Sequence, residues 1–140
     1  MIHTCQLYVR TKGKGLYPFT RDVAGWIRST EVSAGLLTVF IQHTSASLVI
    51  QENADPNVRT DLITALRRLA PADAGWVHTV EGPDDMPAHA KSMLTGVSLH
   101  VPVIGGKLSL GTWQGIYVAE HRRRPHQREV ILQFVGSKDR

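Results

Sequence analysis

Residues 36–56 read LLTVFIQHTSASLVIQENADP, and this stretch decides the fold. Branched and aromatic residues from Leu36 to His43 are typical of a strand, and a second run from Ser47 to Glu52 resumes the pattern after a polar corner. Asp55-Pro56 is typical of a helix start, with an N-cap followed by proline at the first helical position. We therefore predict two strands around a polar corner, followed directly by a helix.

Outside this stretch, strands and two further helices are predicted. Strand patterns cover His3–Arg10, Trp76–Val80, Val97–Val101, Lys107–Leu110, Ile116–His121 and Glu129–Val135. Helical spacing predicts a short helix over Arg21–Arg28. The helix after Asp55 has an apolar stripe of Val58, Leu62, Leu66 and Leu69. A third helix starts near Pro87, with Met86, Ala90, Met93 and Leu94 on one side. Short strands segregated from two or three helices predict one compact α+β domain over residues 1–140, with a mostly antiparallel sheet.

Composition limits the function classes. The 140 residues are 42% hydrophobic and 20% charged, which suits one globular domain. The net charge of +4 favours an anionic partner, either a phosphorylated metabolite or nucleic acid. The single cysteine, the absence of a signal-like start and the lack of a long apolar stretch predict a cytoplasmic protein without a membrane role.

Three strands end in a polar side chain that continues an apolar face. His43, Glu52 and Glu120 each close such a row of buried positions. A polar group at that point is typical of a cleft wall where ligands bind. Solvation of the sheet rim is the alternative interpretation for each residue alone.

Two carboxylates flank the start of the helix after Asp55. Asp61 falls roughly 60° from Val58 around that helix, beside the apolar stripe, so we expect it to border the core. Asp55 is also explained as an N-cap. Together, the two carboxylates could bind a hard divalent cation, with phosphate oxygens of a ligand completing its coordination shell.

His89 lies in the first turn of its helix, roughly 40° from Met93. The positive end of the helix dipole favours a neutral ring that acts as a base or metal ligand. A histidine satisfied at the helix end is the alternative. Lys91 and Ser92 are candidate anion contacts.

Familiar motifs are missing from the sequence. Neither a zinc-binding spacing nor a phosphate-binding glycine loop is present. Arg122–Arg124 with Arg128 form the densest basic cluster, for which we predict an exposed hairpin tip. Without interleaved aromatic residues, a solvated loop or subunit contact is favoured over nucleic-acid binding.

Several motifs in register resemble the YjbQ-like family over nearly the whole chain. They are His43-Thr44-Ser45-Ala46, Glu52-Asn53-Ala54-Asp55-Pro56, Asp61, Met86-Pro87-Ala88-His89 and Gly111-Thr112-Trp113-Gln114-Gly115. The resemblance implies a compact α+β fold, a homotrimer and secondary thiamine-phosphate synthase activity. That reaction joins a pyrimidine methyl diphosphate to a thiazole phosphate and releases diphosphate.

The resemblance, together with the strand-end and helix positions described above, gives the expected site residues. The expected catalytic residues are His43, Asp55, His89 and Glu120. The expected substrate-binding residues are Thr44, Ser45, Glu52, Asn53, Lys91, Thr112, Trp113 and Gln114. Asp55 and Asp61 are expected to hold Mg²⁺ or another divalent metal, and no organic cofactor is expected. His78 and Glu81 match a histidine and acidic pair that precedes the Pro-Ala-His element.

Three functions stay open at this point. In the synthase reading, His89 or His43 moves a proton while Lys91 and amides near Ser45 stabilise departing diphosphate. In the second, His43, Asp55 and His89 hold the metal of a hydrolase that acts on a phosphorylated metabolite. In the third, the protein binds a metabolite or nucleic acid without catalysis.

Overall fold

The computed structural model describes residues 1–138, which form eight strands and three helices. The strands are β1 Ile2–Thr11, β2 Gly15–Pro18, β3 Ala34–Ile41, β4 Ala46–Glu52, β5 Ser98–Ile104, β6 Lys107–Leu108, β7 Gln114–Glu120 and β8 His126–Ser137. The helices are α1 Thr20–Thr30, α2 Pro56–Leu69 and α3 Asp85–Thr95. The predicted α+β class and the antiparallel pairing are confirmed.

The strands form two antiparallel sheets. The larger has the order β1-β8-β3-β5-β6, and the smaller has the order β2-β7-β4. Strands β3 and β4 are consecutive in the chain but lie in different sheets, so the polar corner between them is where the chain crosses from one sheet to the other. The corner therefore lies where the two sheets meet, and it contains both exposed and buried residues.

One hydrophobic core joins both sheets and α1. Leu37, Val39 and Ile41 of β3 are at most 1% exposed, as the alternation of that strand predicts. From the smaller sheet, Leu48 and Val118 belong to the same buried cluster. The apolar rows that end in His43 and Glu120 are therefore core rows, and the two polar residues lie at the edge of the core.

Helix α3 packs its polar side inward. Its buried residues are Asp85, Pro87, Ala88, Lys91 and Ser92. Met93 and Leu94, predicted to face the core, are instead 83% and 59% exposed. The apolar pattern is misleading because α3 covers the charged end of the smaller sheet, where carboxylates, hydroxyls and a guanidinium supply partners for polar side chains.

Helix α2 begins and ends where the sequence predicts, yet it contains no fully buried residue. Its stripe is only half covered, and Leu69 is 70% exposed. A groove of about 510 Å³ runs between this stripe and the smaller sheet, lined by Leu48, Leu62 and Leu66 among others. The exposed sides of α2 and α3 thus leave apolar surface uncovered in the single chain.

Two parts of the chain differ from the predicted elements. Residues 76–80 form no strand: Val77 and Val80 are 98% and 86% exposed, and Trp76 donates its ring N–H to the Pro71 carbonyl within an irregular segment. Strand β2 is absent from the prediction because it has only four residues and ends in proline. It forms by pairing with β7.

No helix in residues 1–138 has the length and apolar character needed to span a membrane.

Candidate functional site

The corner between β3 and β4 organises the candidate site. Three successive backbone carbonyls of this corner accept hydrogen bonds from side chains of other elements. His89 Nδ1 lies 2.9 Å from the Thr44 oxygen, Arg128 Nη2 donates to Ser45 at 3.3 Å, and Ser92 Oγ donates to Ala46 at 3.0 Å. The corner is therefore fixed by α3 on one side and by β8 on the other.

On the α3 side, His78, Asp85 and His89 form a compact cluster. The Oδ2 atom of Asp85 lies 2.8 Å from His78 Nε2 and 3.0 Å from His89 Nε2. One nitrogen or oxygen ligand atom from each residue falls within 4.8 Å of the others, a property that only this group of three has within residues 1–138. The site contains two imidazoles and a carboxylate, a donor set suited to borderline transition metals.

Both ring nitrogens of His89 face oxygen acceptors, and a neutral imidazole can donate to only one of them. Nδ1 faces the Thr44 carbonyl and must donate, so in a neutral ring Nε2 carries a lone pair. That lone pair faces the Asp85 carboxylate at 3.0 Å, and a proton or a cation must lie between them. An imidazole N–H bound to a backbone carbonyl is the usual outer-shell support of a metal-binding histidine.

Behind this cluster, Arg122 binds both carboxylates of the acidic pair Asp84 and Asp85 at the start of α3. Its Nε donates to Asp84 at 3.1 Å, and its Nη1 donates to Asp85 at 2.5 Å. Burial alone would raise the pKa of Asp85, but hydrogen bonds from the histidines and the charge of Arg122 hold that pKa below its usual value. Asp85 is therefore a carboxylate, with Oδ1 held by Arg122 and Oδ2 directed at the histidines.

On the β8 side, a second buried network centres on Arg128. It pairs with Glu120 through two hydrogen bonds of 2.8 and 2.5 Å and also donates to Ser45 Oγ at 3.1 Å. Thr11 Oγ1 donates to Glu120 at 2.5 Å. Burial would raise the pKa of Glu120, but these hydrogen bonds and the Arg128 charge lower it. Every bonding direction of this carboxylate is directed at the protein, which suits a structural ion pair.

His43 belongs to the same network. Its Nε2 accepts from the backbone N–H of Glu129 at 2.8 Å, and its Nδ1 lies 3.3 Å from Arg128 Nη1. Burial, and then the charge of Arg128, lowers the pKa of His43. The ring is neutral and its basic nitrogen is occupied, so in this arrangement His43 orients the corner.

A third group of polar residues lies where α3 covers the end of the smaller sheet. Lys91 and His121 are 3% and 1% exposed, and His121 Nε2 is bonded to Ser47 Oγ at 2.8 Å. Burial lowers the pKa of Lys91 to about 8, with Lys14 and Arg67 contributing, and lowers the pKa of His121 to about 3. His121 is neutral, and the carboxylate of Asp84 opposes the effect of the two cations on the pKa of Lys91.

The remaining predicted residues gather at the opposite end of β4. Glu52 pairs with Gln114, whereas Ala46 pairs with Glu120, so the two ends of this seven-residue strand are roughly 20 Å apart. Glu52 accepts from the backbone N–H of Asp55, and Asn53 donates to the carbonyls of Thr112 and Gln114. Trp113 is 63% exposed beside them. One chain therefore does not bring the predicted site residues together.

Because of this separation, one chain does not assemble the predicted metal ligands of the hydrolase site. Asp55 is the N-cap of α2, with Oδ1 accepting from the Asn57 N–H at 2.9 Å, in line with its alternative interpretation. Asp61 is exposed rather than bordering the core, and it lies about 9 Å further along the helix axis. Neither belongs to the three-residue group around His89, so the ligand set His43, Asp55 and His89 does not form within one chain.

The predicted arginine tip is also wrong in part. Arg122 and Arg128 are 7% and 3% exposed and are bound to buried carboxylates, which leaves Arg123 and Arg124 as its exposed members. Two exposed arginines at a turn form a small basic surface, and this weakens the nucleic-acid reading.

Asp85 and Arg122 are not predicted as site residues from the sequence. Pro87 is predicted to start the helix, but α3 begins at Asp85, so Asp85 lies one helical turn before His89. Proline is tolerated throughout the first turn, and this hides the i, i+4 pair. His78 is indicated by the family motif, but its contact with Asp85 depends on the irregular 76–83 segment, which has no periodic signal.

Comparisons with known proteins agree with this architecture. The sequence pattern of the family described as UPF0047 protein YjbQ-like matches residues 5–137. A UPF0047 protein of Synechocystis sp. is 51% identical over 131 residues, covering 93% of this chain and 89% of that protein. The UPF0047 protein YjbQ of Escherichia coli O157:H7 is 40% identical over 131 residues, covering 93% and 95%.

Solved structures have the same fold. A conserved hypothetical protein of Thermus thermophilus superposes with a TM-score of 0.84 at 37% identity, covering 94% of this chain and 99% of that one. A protein of unknown function from Sulfolobus solfataricus gives a TM-score of 0.91 at 23% identity, covering 98% and 99%. The second likeness concerns the fold alone.

Proposed function

The chain belongs to the YjbQ-like UPF0047 family, and from that premise we propose that it is a cytoplasmic homotrimeric enzyme acting on a phosphorylated small molecule. The reaction is of thiamine-phosphate synthase type. A ring nitrogen of the thiazole phosphate bonds to the pyrimidine methylene carbon as the carbon–oxygen bond to diphosphate breaks.

One observation carries the proposal of a reactive centre. His78 Nε2 and His89 Nε2 both lie within hydrogen-bond distance of the Asp85 Oδ2 atom, and the Thr44 carbonyl fixes the His89 ring through Nδ1. A divalent ion of the zinc or manganese type fits these donors better than Mg²⁺, which prefers oxygen ligands and retains several waters. When bound, such an ion polarises phosphate oxygens and neutralises charge on a leaving group.

The residues of the chain supply the other functions. Arg122 keeps Asp85 ionised and fixes its orientation. The Thr44 carbonyl holds the tautomer of His89. A cleft of about 410 Å³ runs beside His78 along the 72–83 segment and has room for part of a substrate. A positioned imidazole at its edge can take or give one proton.

A metal-dependent hydrolase is the second candidate, favoured by the same donor set. Water activated at a His, His and carboxylate site attacks phosphate esters in many enzymes. The ligands would be His78, Asp85 and His89, not the set containing His43 and Asp55.

The uncovered apolar surface supports the trimer. Leu69, Met93 and Leu94 are exposed on neighbouring sides of α2 and α3, and burial of such residues is the usual driving force for subunit association. A partner subunit could also bring the Glu52–Gln114 end of its smaller sheet to the His89 end of this chain. Only then would the expected site residues act together.

The deciding experiment combines metal content with turnover. Purified protein and the Asp85→Asn, His89→Ala and His100→Ala variants are analysed for bound zinc and manganese, then assayed with pyrimidine methyl diphosphate and thiazole phosphate. His100 is an exposed histidine of β5 and serves as the matched control. We expect metal and product in wild type and His100→Ala, and loss of both in the other two variants.

The outcomes separate the candidates. Equal product from His89→Ala and wild type would contradict the proposed centre. Phosphate release that needs the metal but not the second substrate would instead identify the hydrolase.

A further inference from the structure

The cleft along the 72–83 segment has the size and lining of a small-molecule pocket. Its volume is about 410 Å³, within the range of roughly 300–1,000 Å³ that is typical of such pockets. Most of the lining is apolar, and its largest side chain is that of Trp76. Asp73, His78 and Thr79 supply the few polar side chains along the wall. A ligand with an apolar body and a few polar atoms fits such a lining.

Trp76 offers aromatic surface to the cleft and no free hydrogen-bonding group. Its ring N–H, the one polar group of an indole, donates to the Pro71 carbonyl at 2.9 Å and is satisfied within the chain. The side chain is only half-buried, although tryptophan is highly buried on average in folded proteins. The uncovered part of the indole is therefore available for stacking against a ring that enters the cleft.

Hydrogen bonds fix the irregular segment and so preform the cleft. The Gly82 N–H donates to the Thr79 carbonyl at 3.3 Å, and Arg122 Nη2 donates to the Glu81 carbonyl at 3.0 Å. Gly82 has a φ of 98°, a conformation that favours glycine. Together with the Trp76 bond, these contacts hold the segment between the end of α2 and the start of α3. A preformed pocket loses little entropy when a ligand binds.

His78 belongs both to the cleft and to the cluster with Asp85 and His89. It lines the cleft, while its Nε2 lies 2.8 Å from the Asp85 Oδ2 atom. The ring centroids of His78 and His89 are 5.6 Å apart. In pyrimidine methyl diphosphate, a single methylene group separates the ring from the diphosphate. A pyrimidine ring in the cleft would therefore place the reacting methylene carbon beside the cluster on which the proposed reaction depends.

We propose that this cleft binds the pyrimidine ring of the substrate, stacked on Trp76, with the polar groups of Asp73 and Thr79 beside the ring nitrogens and substituents. The substrate class rests on the proposed function, whereas the preference for a planar aromatic ring rests on the cleft itself. The thiazole ring must reach the methylene carbon with its nitrogen, so it occupies a different position from the pyrimidine ring.

The test follows binding of unphosphorylated pyrimidine methanol by NMR. The chain contains three tryptophans, so the nitrogen-labelled protein has three indole N–H signals, those of Trp26, Trp76 and Trp113. Protein freed of metal with a chelator is titrated with the alcohol up to about 10 mM. We expect a saturable shift of the Trp76 signal, while the signal of Trp26, which packs against the core, stays in place.

The matched variants are Trp76→Ala, Trp76→Phe and Tyr8→Ala, since Tyr8 is an exposed aromatic residue of β1. Calorimetry compares their affinities for the alcohol. We expect a loss of about fivefold or more in Trp76→Ala, a smaller loss in Trp76→Phe because a phenyl ring still stacks, and wild-type affinity in Tyr8→Ala.

A second variant keeps the test valid if Trp76→Ala does not fold. Ala72→Phe fills the cleft while Trp76 remains, and it should lower the affinity by about fivefold or more. Wild-type affinity in both Trp76→Ala and Ala72→Phe, or no shift of the Trp76 signal in the wild-type protein, would overturn the subsite.

Thiazole alcohol titrated in parallel separates the two substrate rings. Pyrimidine methanol binding at least about tenfold tighter than the thiazole supports the proposal, and equal or tighter thiazole binding contradicts it. Because the titration needs neither metal nor turnover, Trp76-dependent binding without product would refute the proposed reaction and leave the subsite intact. Product formation with binding that does not depend on Trp76 would do the reverse.

Discussion

Arg128 and Glu120 form an ion pair in which Nε and Nη2 donate to the two carboxylate oxygens at 2.8 and 2.5 Å, in surroundings that leave the residues 3% and 0% exposed. Removing one partner leaves the other charge buried and unpaired. Arg128→Met is therefore expected to lower the free energy of unfolding by about 3–5 kcal/mol, measured by urea denaturation.

The control for this prediction is Arg124→Met, an exposed arginine of the same region, with an expected change within about 0.5 kcal/mol. The Glu120→Gln, Arg128→Met double variant should recover part of the loss because the unpaired charge is gone. A loss below about 1 kcal/mol in Arg128→Met would show that solvent reaches the pair.

Lys91 is predicted to destabilise the free protein at neutral pH. Its pKa falls from 10.5 in the unfolded chain to about 8 in the fold. Between these values the unfolded chain binds more protons, so the free energy of unfolding rises as the pH rises from about 8 to 10.5. At pH 7, Lys91→Met is expected to be more stable than wild type by about 1–3 kcal/mol.

Urea denaturation at pH 7 and across this alkaline range measures both effects, and Lys107→Met should behave as wild type. A less stable Lys91→Met protein that keeps the wild-type alkaline slope would contradict the prediction.

His121 is predicted to limit stability in acid. Burial lowers its pKa from 6.5 to about 3, so below pH 6.5 the unfolded chain takes up a proton that the folded chain does not. The free energy of unfolding then falls with falling pH by up to about 1.4 kcal/mol per pH unit from this residue. Thermal denaturation from pH 7 to 4 measures the slope.

His121→Gln keeps a hydrogen-bonding side chain for Ser47 and removes the titration. It should show a smaller acid dependence than wild type, whereas His100→Gln should not differ from wild type. Equal slopes in all three proteins would assign the acid sensitivity to other groups.

Asp55→Asn separates the two predicted roles of Asp55. Asparagine caps helices about as well as aspartate, so the free energy of unfolding should change by less than about 0.5 kcal/mol, whereas Asp55→Ala should cost about 1 kcal/mol. Full activity in Asp55→Asn is expected if the residue acts only as a cap. Loss of activity at unchanged stability would show that the carboxylate is part of the site.

The exposed apolar surface is predicted to be a subunit interface. The Leu69→Glu, Leu94→Glu double variant places charges on α2 and α3 where both leucines are more than half exposed. Sedimentation should show a trimer for wild type and a smaller species for the variant. Thr60→Glu, an exposed change on the same helix, is the control. A monomeric wild type would contradict both the interface and the proposed assembly.

Local patterns are sufficient to predict most of the fold. Alternation in β3 and the Asp55-Pro56 cap each reflect a short-range rule that the structure obeys. The prediction for residues 76–80 fails because apolar residues in a short run do not reveal whether a neighbouring strand is available to pair. Strand β2 is missed for the opposite reason, since its neighbour β7 imposes the extended form.

The site is predicted only in part because its members are near in space and distant in sequence. Strand ends and helix position single out His43, His89 and Glu120, and these residues do lie around the corner or its supports. Of the partners that define their roles, Arg122 and Arg128 lie outside the elements of His89, His43 and Glu120, whereas Asp85 lies one turn before His89 and is hidden because the helix is predicted to start at Pro87. A basic run that resembles a solvated turn does not reveal that two of its arginines are buried.

The corner from Thr44 to Ala46 sets a limit on how this protein can change in length. Each of its three carbonyls is matched to a side chain from a different position, so one inserted or deleted residue would misalign all three bonds together. The 72–83 segment has no such row of matched backbone carbonyls, so an insertion there should lower the free energy of unfolding much less than one in the corner. We therefore expect insertions and deletions to be tolerated in the segment around His78 and not between Thr44 and Ala46.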